Sequence, residues 1–306
     1  MQRVVVTGAT SMLGVALVKE CVKNNIEVLA IVRKGTARQE RFLKSRYVEV
    51  IECDLDHLSF MTKGNKTYDV FYHFAWAYTA KEKRDDPILQ EENIRYTLDA
   101  VELAARLGCK KFIGAGSQAE YGPKSCVITS DTKIDPQLSY GTAKYAAGML
   151  SRKLCEKHGM VHIWGRIFSV YGNNDNDGTM LSYAIDRFIR GKVARFSSGT
   201  QMWDYLHEDD AGTIFYLLGE RTDQDAVYCI ASGESRPLKE FILEMRDTFG
   251  AGATCEFDSD TGRPGEGLRA DAEELFRDIS YRPVVTFKEG IKKMIAYRTE
   301  QMKNEN

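Results

Sequence analysis

The sequence predicts a doubly wound, parallel α/β sheet with a smaller, interleaved C-terminal α/β lobe. Short strands alternate with helical segments over the first 170 residues, and such alternation builds parallel sheets with right-handed crossovers. A glycine-rich turn joins the first strand to the first helix within the first fifteen residues. We expect a first domain over residues 1–170, to which a strand and a helix near 205–232 return, and a second lobe over most of 171–306.

The predicted elements follow this alternation in order. The first strand, 2–6, is a β-branched run, and the helix after the turn ends near Lys23 because Asn24 and Asn25 follow it. Further strands and helices are expected between there and residue 230: strands at 28–32, 47–52, 70–73, 111–114, 161–164 and 227–230, and helices at 93–107 and 140–158. The alternation loosens after about Tyr171, where residues 173–178 form a polar loop, and we place the second lobe there.

The composition excludes several classes of protein. The 306 residues are enough for a large core, and a formal net charge of −2 gives no indication of nucleic acid or an anionic membrane as partner. No apolar run approaches about 18 residues, so no membrane span is expected, and an N-terminal strand leaves no room for a signal peptide. The seven cysteines lack CxxC or paired-His spacing, which predicts reduced thiols, no metal site and a cytoplasmic protein.

The glycine-rich turn predicts a dinucleotide site of the Rossmann-like kind. A phosphate fits at a helix start because free N–H groups and the positive end of the helix dipole point at it, and glycines let the backbone approach closely. Position 11 is serine where a third spaced glycine is expected, and its hydroxyl can donate a hydrogen bond to the phosphate. The candidate cofactor-binding residues of the turn are Thr7, Gly8, Thr10, Ser11, Met12, Leu13 and Gly14.

Arg33 and Lys34 bear on the choice of cofactor. Arg33 lies 19 residues beyond Gly14, where an acidic residue would bind the adenosine ribose 2′-hydroxyl and an arginine suits a 2′-phosphate. We therefore favour NADP(H), with NAD(H) as the alternative. If Arg33 and Lys34 bind no ligand, they are a pair of solvated charges at the end of the strand. Asp54, at the end of the third strand, is placed to reach the adenine, unless it is an ordinary strand-terminal carboxylate.

Tyr140 and Lys144 form the predicted acid–base pair. Residues at i and i+4 share one helix face, and an adjacent ammonium favours the phenolate, so we expect Lys144 to lower the pKa of Tyr140 from about 10. A tyrosine tuned in this way acts as a general acid or base near neutral pH. Ser117 follows another predicted strand at its C-terminal end, where its hydroxyl is placed to hold a carbonyl oxygen in line with Tyr140.

These motifs resemble those of the extended short-chain dehydrogenase/reductases, the family of nucleotide-sugar epimerases, dehydratases and reductases. Further matching segments are Cys53-Asp54-Leu55, Tyr72-His73-Phe74-Ala75-Trp76, Asn93 at a helix start, and residues 165–172 and 203–210. The resemblance implies hydride-transfer catalysis by Ser117, Tyr140 and Lys144, and a nucleotide-sugar substrate. It also implies a homodimer formed through helices 93–107 and 140–158. It places five further residues at the cofactor: Leu55, Phe74, Ala75, Trp76 and Asn93.

Departures from the family pattern narrow the function. Dehydratases of the family have an Asp-Glu pair directly after the residue matching Ser117; Gln118 and Ala119 stand there and cannot eliminate water, although they remain candidate substrate-binding residues. At the expected substrate site, Ser169 stands where many members have Asn, and Trp203 where many have a phosphate-binding Arg. Arg263 remains as a candidate diphosphate clamp, unless it is a surface residue of a Gly/Pro turn.

The leading hypothesis is an NADPH-dependent reductase of a nucleotide-activated 4-keto sugar. The first alternative is a nucleotide-sugar C4 epimerase that retains its cofactor, and the second is a dinucleotide-binding sensor, which would have no need of the Ser, Tyr and Lys.

Trp76 either contacts the nicotinamide or substrate or packs in the core. The charge run 81–86 is expected to be a solvated loop, with covering of the cofactor as the alternative.

Overall fold

The computed structural model describes residues 1–41, 45–62, 64–258 and 267–304. Its strands are β1 Arg3–Thr7, β2 Glu27–Val32, β3 Val48–Glu52, β4 Val70–His73, β5 Lys111–Ser117, β6 Val161–Ile167, β7 Ser169–Tyr171, β8 Ala194–Phe196, β9 Met202–His207, β10 Ala226–Ile230, β11 Ser235–Pro237 and β12 Cys255–Phe257. Its α-helices are α1 Met12–Lys23, α2 Pro87–Arg106, α3 Ser139–His158, α4 Met180–Ile189, α5 Glu208–Arg221, α6 Leu238–Phe249, α7 Glu273–Ile279 and α8 Phe287–Asn304.

Seven strands form one parallel sheet in the order β10-β6-β5-β4-β1-β2-β3. Side chains alternate between its faces, so Val4 and Val6 of the central strand pack with α1 and α5, while Val5 packs with α2 and α3. All three valines are completely buried. A parallel sheet covered by helices on both faces is the doubly wound fold that the alternation predicts, and the fold class is confirmed.

The strand order reverses beside β1, which lies between β2 and β4. Thr7 at the end of β1 is in register with Ile31 of β2 and His73 of β4. Doubly wound sheets bind their ligands in the crevice outside the carboxyl ends of the strands at such a point. The glycine-rich turn and the ends of β4 and β5 therefore open onto the same crevice.

The start of α2 is a correction to the predicted helix 93–107. The helix begins at Pro87, because the Asp86 carboxylate accepts hydrogen bonds from the Ile88 and Leu89 N–H groups and proline suits the first helical position. Asn93 consequently lies inside α2 and does not open it. The strands β5 and β6 each extend three residues beyond the predicted ends, to Ser117 and Ile167.

After β6 the chain leaves the large sheet and returns to it later. Strands β7, β9 and β11 form a three-stranded sheet, β8 pairs with β12, and α4, α6 and α8 enclose a separate apolar cluster. The chain returns with α5, which packs on α1, and with β10, which pairs in parallel with β6. Both elements lie in the range 205–232, for which a returning strand and helix were predicted; the domain boundaries stay a prediction.

Other features of the described residues bear on the class of protein. All seven cysteines are free thiols. Within the described ranges, no helix combines the length and the apolar character that crossing a bilayer requires. The same residues contain no group of His, Cys, Asp and Glu side chains arranged to hold a metal ion.

Candidate active site

The turn after β1 leads directly into the N-terminus of α1. Ser11 is the N-cap: its Oγ accepts a hydrogen bond from the Gly14 N–H at 3.1 Å, and its own N–H donates to Gly8 O at 2.9 Å. The hydroxyl thus takes up one N–H group of the helix start, a role that the sequence analysis did not assign to it. The N–H groups of Met12 and Leu13 have no acceptor within the helix, and they point toward the place where a phosphate would bind.

Gly8 and Gly14 make the turn tight enough for a ligand to approach the backbone. Gly8 has φ +67°, and a Cβ there would lie 2.6 Å from Ala75 N. A Cβ at Gly14 would collide with Gly8 O. Beside the turn, buried Thr7 bonds His73 through Oγ1 and Nδ1 at 2.8 Å. The cradle therefore fits a dinucleotide pyrophosphate, which needs free N–H groups and no intervening side chains.

Arg33 and Lys34 are exposed at the end of β2. The Lys34 N–H donates to Asp54 Oδ1 at 3.1 Å, so Asp54 holds the loop after β2 at the adenine end of the crevice. Leu55 packs against the cluster between the sheet and α2. Both Asp54 and Leu55 thus lie beside the segment that is predicted to determine the choice of cofactor.

Two further arginines, which the sequence analysis missed, lie near Arg33. Burial, and then the charges of Arg41 and Arg33, lower the pKa of the Arg38 guanidinium. Arg41 Nη1 donates to Thr10 O at 3.5 Å and to Asn174 O at 3.4 Å, so it reaches from its own loop to the glycine turn. An anion bound among these three guanidinium groups would offset the repulsion between their positive charges.

Ser117, Tyr140 and Lys144 come together at the ends of β5 and α3. Ser117 lies close enough to Tyr140 to oppose the rise in the pKa of the phenol. Lys144 Nζ donates to Ala115 O at 2.6 Å and lies 3.6 Å from the centre of the Trp76 ring. The Trp76 ring meets Tyr140 edge-on, with centroids 6.0 Å apart. Trp76 therefore packs against both predicted catalytic side chains.

The prediction that Lys144 lowers the pKa of Tyr140 was wrong. Burial raises the pKa of the phenol above its usual value, and the opposing influences are the Arg84 charge and the Ser117 hydrogen bond. Lys144 Nζ lies 5.8 Å from the centre of the Tyr140 ring, and burial lowers the pKa of Lys144 itself to about 7. A buried ammonium loses its hydration, so at neutral pH this one is only partly charged.

Glu120 and Arg166 form a buried ion pair beneath the site. Glu120 is completely buried and accepts from Ser117 N at 2.8 Å, Trp164 Nε1 at 3.0 Å and Arg166 Nε at 2.8 Å. These bonds fix the backbone that carries Ser117. The sequence held one signal for the pair: two charges in segments expected to be buried must compensate each other.

Gln90 and Asn93, both buried in α2, hold the segment that follows β4. Gln90 Oε1 accepts from Trp76 Nε1 at 3.0 Å, and its Nε2 donates to Tyr78 O and Lys83 O at 3.0 and 3.1 Å. Asn93 Oδ1 accepts from the Ala77 N–H at 2.7 Å, and Asn93 Nδ2 donates to Ala77 O at 3.2 Å. Asn93 was predicted to contact the cofactor; in the structure its side-chain amide is hydrogen-bonded to the loop after β4.

The charge run 81–86 is largely exposed, as expected, with Arg84 and Asp86 half-buried. The guanidinium carbon of Arg84 lies 4.2 Å from the centre of the Tyr140 ring, and the Tyr140 N–H donates to Arg84 O at 3.0 Å. This segment therefore covers one side of the phenol. The predicted contact residue Phe74 is packed in the core against Phe215, with ring centroids 4.7 Å apart.

A cavity of about 520 Å³ begins at Gln118 and Ala119, directly after Ser117 in the chain. Trp203 lines it as well, whereas Ser169 is paired with Tyr205 between β7 and β9. The remaining lining residues are Gly122, Pro123, Gln137, Leu138, Gln201, Gly267 and Leu268. No charged side chain is among these described lining residues. Arg263, the predicted diphosphate clamp, lies outside the described residues.

The chain is similar to several known proteins. The model of the NAD dependent epimerase/dehydratase family matches residues 4–231. The ADP-L-glycero-D-manno-heptose-6-epimerase of Nitratidesulfovibrio vulgaris (strain DP4) is 25% identical over 79% of this chain and 79% of its own. The dTDP-4-dehydro-6-deoxyglucose reductase of Escherichia coli is 23% identical over 95% of this chain and 96% of its own. The fold matches that of UDP-N-acetylglucosamine 4-epimerase from Methanobrevibacter ruminantium M1 with a TM-score of 0.87, at 20% identity, over 98% of this chain and 99% of that one.

Proposed function

The chain belongs to the NAD dependent epimerase/dehydratase family, and we propose that it is an NADPH-dependent reductase of nucleotide-activated 4-keto sugars. The observation that carries the proposal is the proximity of Ser117 to Tyr140, which is close enough to oppose the rise in the pKa of the phenol. The uncharged lining of the cavity that begins at Gln118, the residue after Ser117, supports it. A carbonyl bound at the Ser117 side of that cavity would lie near both a hydroxyl and a phenol.

The cofactor would lie along the crevice. The first N–H groups of α1 take its pyrophosphate, Arg33 with Arg38 and Arg41 takes a 2′-phosphate, and Lys144 takes the ribose hydroxyls. When bound, the nicotinamide cofactor supplies the hydride. NAD(H) is the alternative cofactor; in that case the three arginines bind another anion or are solvated.

The chain's own residues handle the proton. Ser117 donates a hydrogen bond to the carbonyl oxygen and orients it, and Tyr140 transfers its phenolic proton to that oxygen as the carbon is reduced. Tyr140 is then a phenolate, which regains a proton from solvent before the next turnover. Transfer from a positioned acid accelerates such a step by roughly 10²–10⁴-fold.

One consideration favours net reduction over epimerisation. Arg33 and its neighbours suit the phosphorylated cofactor, which cells generally keep reduced. The competing function is a nucleotide-sugar C4 epimerase with a retained cofactor. A UDP-glucuronate 4-epimerase is similar to this chain over as much of its length as the E. coli reductase is, so it supports the competing function equally.

One assay separates the two functions. Purified protein is mixed with NADPH and a nucleotide 4-keto-6-deoxy sugar, and the absorbance of the reduced nicotinamide is followed. We expect one NADPH to be consumed for each sugar reduced. Interconversion of two nucleotide-sugar C4 epimers without added cofactor, and with no net consumption of NADPH, would identify the epimerase instead.

The assembly and location belong to the same proposal. The enzyme is a cytoplasmic homodimer that forms through α2 and α3. Met149 and Leu150 on α3 support this, since they are 46% and 47% exposed and are large apolar side chains. The seven free thiols are those of a protein in a reducing compartment.

A further inference from the structure

We infer that Arg84 is a positioning residue for the acid–base step: its guanidinium, stacked on the Tyr140 ring, stabilises the phenolate and so takes the part expected of Lys144. The inference rests on the proposed function, because it concerns the same tyrosine. It assigns a role to a segment that neither the turn, the tyrosine motif nor the family pattern singles out.

The contact between Arg84 and Tyr140 involves both side chain and backbone. The guanidinium carbon lies 4.2 Å from the ring centre, well inside the distance of about 6 Å at which a cation is attracted to an aromatic face. The Arg84 charge also lowers the pKa of the phenol, against the effect of burial. The Tyr140 N–H donates to Arg84 O at 3.0 Å, so the arginine is docked on the residue that it influences.

The neighbouring acids of the run do not neutralise Arg84. Asp85 Oδ1 accepts from Ser139 N at 2.9 Å, and Asp86 Oδ1 caps α2 through Ile88 N and Leu89 N. The Nε of Arg84 is buried and has no hydrogen-bond acceptor among the described residues. Its charge is therefore directed at the aromatic ring.

Gln90 holds the segment in place from the other side. Its amide donates to Lys83 O at 3.1 Å, directly before Arg84, while its carbonyl accepts from Trp76 Nε1 at 3.0 Å. Gln90 is 1% exposed, so these bonds are shielded from water. Four side chains are thus in successive contact: Lys144 with Trp76, Trp76 with Tyr140, and Tyr140 with Arg84.

The charged groups that face Tyr140 come from three elements. From the segment 81–86 comes Arg84, and from the turn after β5 comes Glu120, whose carboxylate opposes ionisation of the phenol and is paired with Arg166. From α3 comes Lys144, whose Nζ is farther from the ring centre than the Arg84 guanidinium, at 5.8 against 4.2 Å. Lys144 also spends a hydrogen bond on Ala115 O. Arg84 is therefore the cation best placed to stabilise the phenolate.

The test measures the ionisation of Tyr140 without substrate or turnover. The protein is labelled with 3,5-difluorotyrosine, whose phenol is more acidic than that of tyrosine, and its fluorine NMR signals are titrated with pH. The chain has 15 tyrosines, and the signal that disappears in Tyr140→Phe belongs to Tyr140. The variants are Arg84→Met, Arg84→Lys, Lys144→Met and, as a matched control from the same run, Lys81→Met.

We expect Arg84→Met to raise the pKa of the labelled Tyr140 by about one unit, a tenfold change in its ionisation constant. Arg84→Lys should recover part of the shift, Lys144→Met should move the pKa less than Arg84→Met, and Lys81→Met should leave it unchanged. Equal Tyr140 pKa values in wild type and Arg84→Met, with the other fluorine signals in place, would overturn the inference. If Arg84→Met does not fold, Arg84→Gln, which also removes the charge, is titrated in its place, and a Tyr140 pKa equal to that of the wild type overturns the inference equally.

A kinetic arm separates this inference from the proposed function. In the reductase assay, the basic limb of the kcat profile should move to higher pH in Arg84→Met by the same amount as the NMR titration. If the pKa of Tyr140 shifts in the NMR titration but the protein reduces no 4-keto sugar, the role of Arg84 is supported and the reductase function is excluded.

Discussion

At the scale of single residues, the site depends on a few buried polar groups that hold the reacting side chains in place. Glu120 takes three hydrogen bonds, one of them from the backbone of Ser117, and it must remain ionised to pair with Arg166. Lys144 is held between Ala115 O and the Trp76 ring. The geometry of the hydroxyl, phenol and ammonium is thus fixed before any ligand arrives.

Tyr140→Phe tests the acid directly. The change removes the transferable proton and keeps the ring between Arg84 and Trp76, so we expect turnover to fall by roughly 10²–10⁴-fold. Folding and NADPH affinity should remain near wild type, as measured by circular dichroism and by the fluorescence of the bound cofactor. A Tyr140→Phe enzyme with undiminished turnover would exclude Tyr140 as the acid.

Arg33→Ala tests the choice of cofactor. A charge-assisted bond to a 2′-phosphate contributes roughly 1.5–3 kcal/mol, so NADPH should bind about ten- to a hundredfold more tightly than NADH. Arg33→Ala should remove most of that difference, and Arg195→Ala, an exposed arginine paired with Glu256 in the second lobe, should keep it. Equal dissociation constants for the two cofactors in the wild-type enzyme would contradict the assignment.

Sequence patterns predicted the proximity of residues that are close in the chain and did not predict contacts between distant segments. Gly8 and Gly14 lie within one short segment, as do Tyr140 and Lys144, so their spacing is visible in the sequence. The contact of Arg84 with Tyr140 joins residues far apart in the chain, and a run of mixed charges gives no sign of it. The pKa of Lys144 depends on burial from all sides, which the spacing of two residues does not determine.

At the scale of elements, the junction of β1 and α1 is set by close backbone contacts. Gly8 lies against the backbone that follows β4, and Gly14 lies against the turn itself. The large sheet has a comparable arrangement elsewhere: Trp164 of β6 lies where a Cβ at Gly114, Gly116 or Gly148 would collide with its ring. Small residues on β5 and α3 thus make room for one large side chain between them.

Gly8→Ala should weaken both folding and cofactor binding. An alanine in the left-handed region costs about 1–2 kcal/mol, and the collision with the Ala75 backbone adds about 1–3 kcal/mol of overpacking. Gly159→Ala is the matched control, since Gly159 has φ +66° and nothing within 4 Å of the added Cβ. Urea unfolding should show a larger loss for Gly8→Ala; equal losses would mean that the contact with Ala75 is not tight.

The element boundaries show which local signals outweigh others. The strand ends of β5 were missed because Ala115, Gly116 and Ser117 have low β-propensity, and only their contacts with β6 and Trp164 keep them extended. The start of α2 was missed because Asp86 and Pro87, a good cap and first position, were taken with the charged run before them. The capping signal was present, and the polarity of the run obscured it.

At the scale of the whole molecule, one chain forms the seven-stranded sheet and two smaller sheets. The large sheet and the helices on it carry Ser117, Tyr140 and Lys144, while Gln201 and Trp203, which lie outside that sheet, line the cavity beside Gln118. The proposed substrate would contact both parts. The helices α2 and α3 pack together on one face of the large sheet, and α3 leaves apolar side chains on its outer surface.

Met149→Glu combined with Leu150→Glu should convert the proposed dimer into a monomer. Charges at two apolar positions of an interface core would have to be desolvated without partners, whereas on a free surface they are harmless. Light scattering after size exclusion measures the mass, and Val284→Glu, at a position that is 71% exposed outside α3, serves as control. A wild-type protein that already runs as a monomer would contradict the dimer.

The stability of the whole fold should depend on pH through His162. This ring is stacked between Phe112 and Trp164 and bonded to Ser151 Oγ at 2.9 Å, and burial lowers its pKa to about 4. In the unfolded chain the ring takes up a proton at about pH 6.5, so its contribution to stability is lost as the pH falls from about 6.5 to about 4.

His162→Gln should therefore flatten the acid limb of the stability curve. Between about pH 6 and pH 4.5 the free energy of unfolding should fall less steeply than in wild type, by about 1.4 kcal/mol per pH unit. Urea titrations at three pH values measure it, with the exposed His57→Gln as control. Parallel curves for wild type and His162→Gln would show that the ring is already protonated in the folded state.

The late return of the chain to the large sheet has a consequence for its synthesis. Strand β6 is complete at Ile167, but its outer neighbour β10 does not begin until Ala226. A ribosome adds roughly 5–20 residues per second, so for several seconds the nascent sheet carries an unpaired edge while the second lobe emerges. An open edge of this kind is a template for pairing with another chain. A chaperone that covered the edge of β6 during this interval would prevent such pairing.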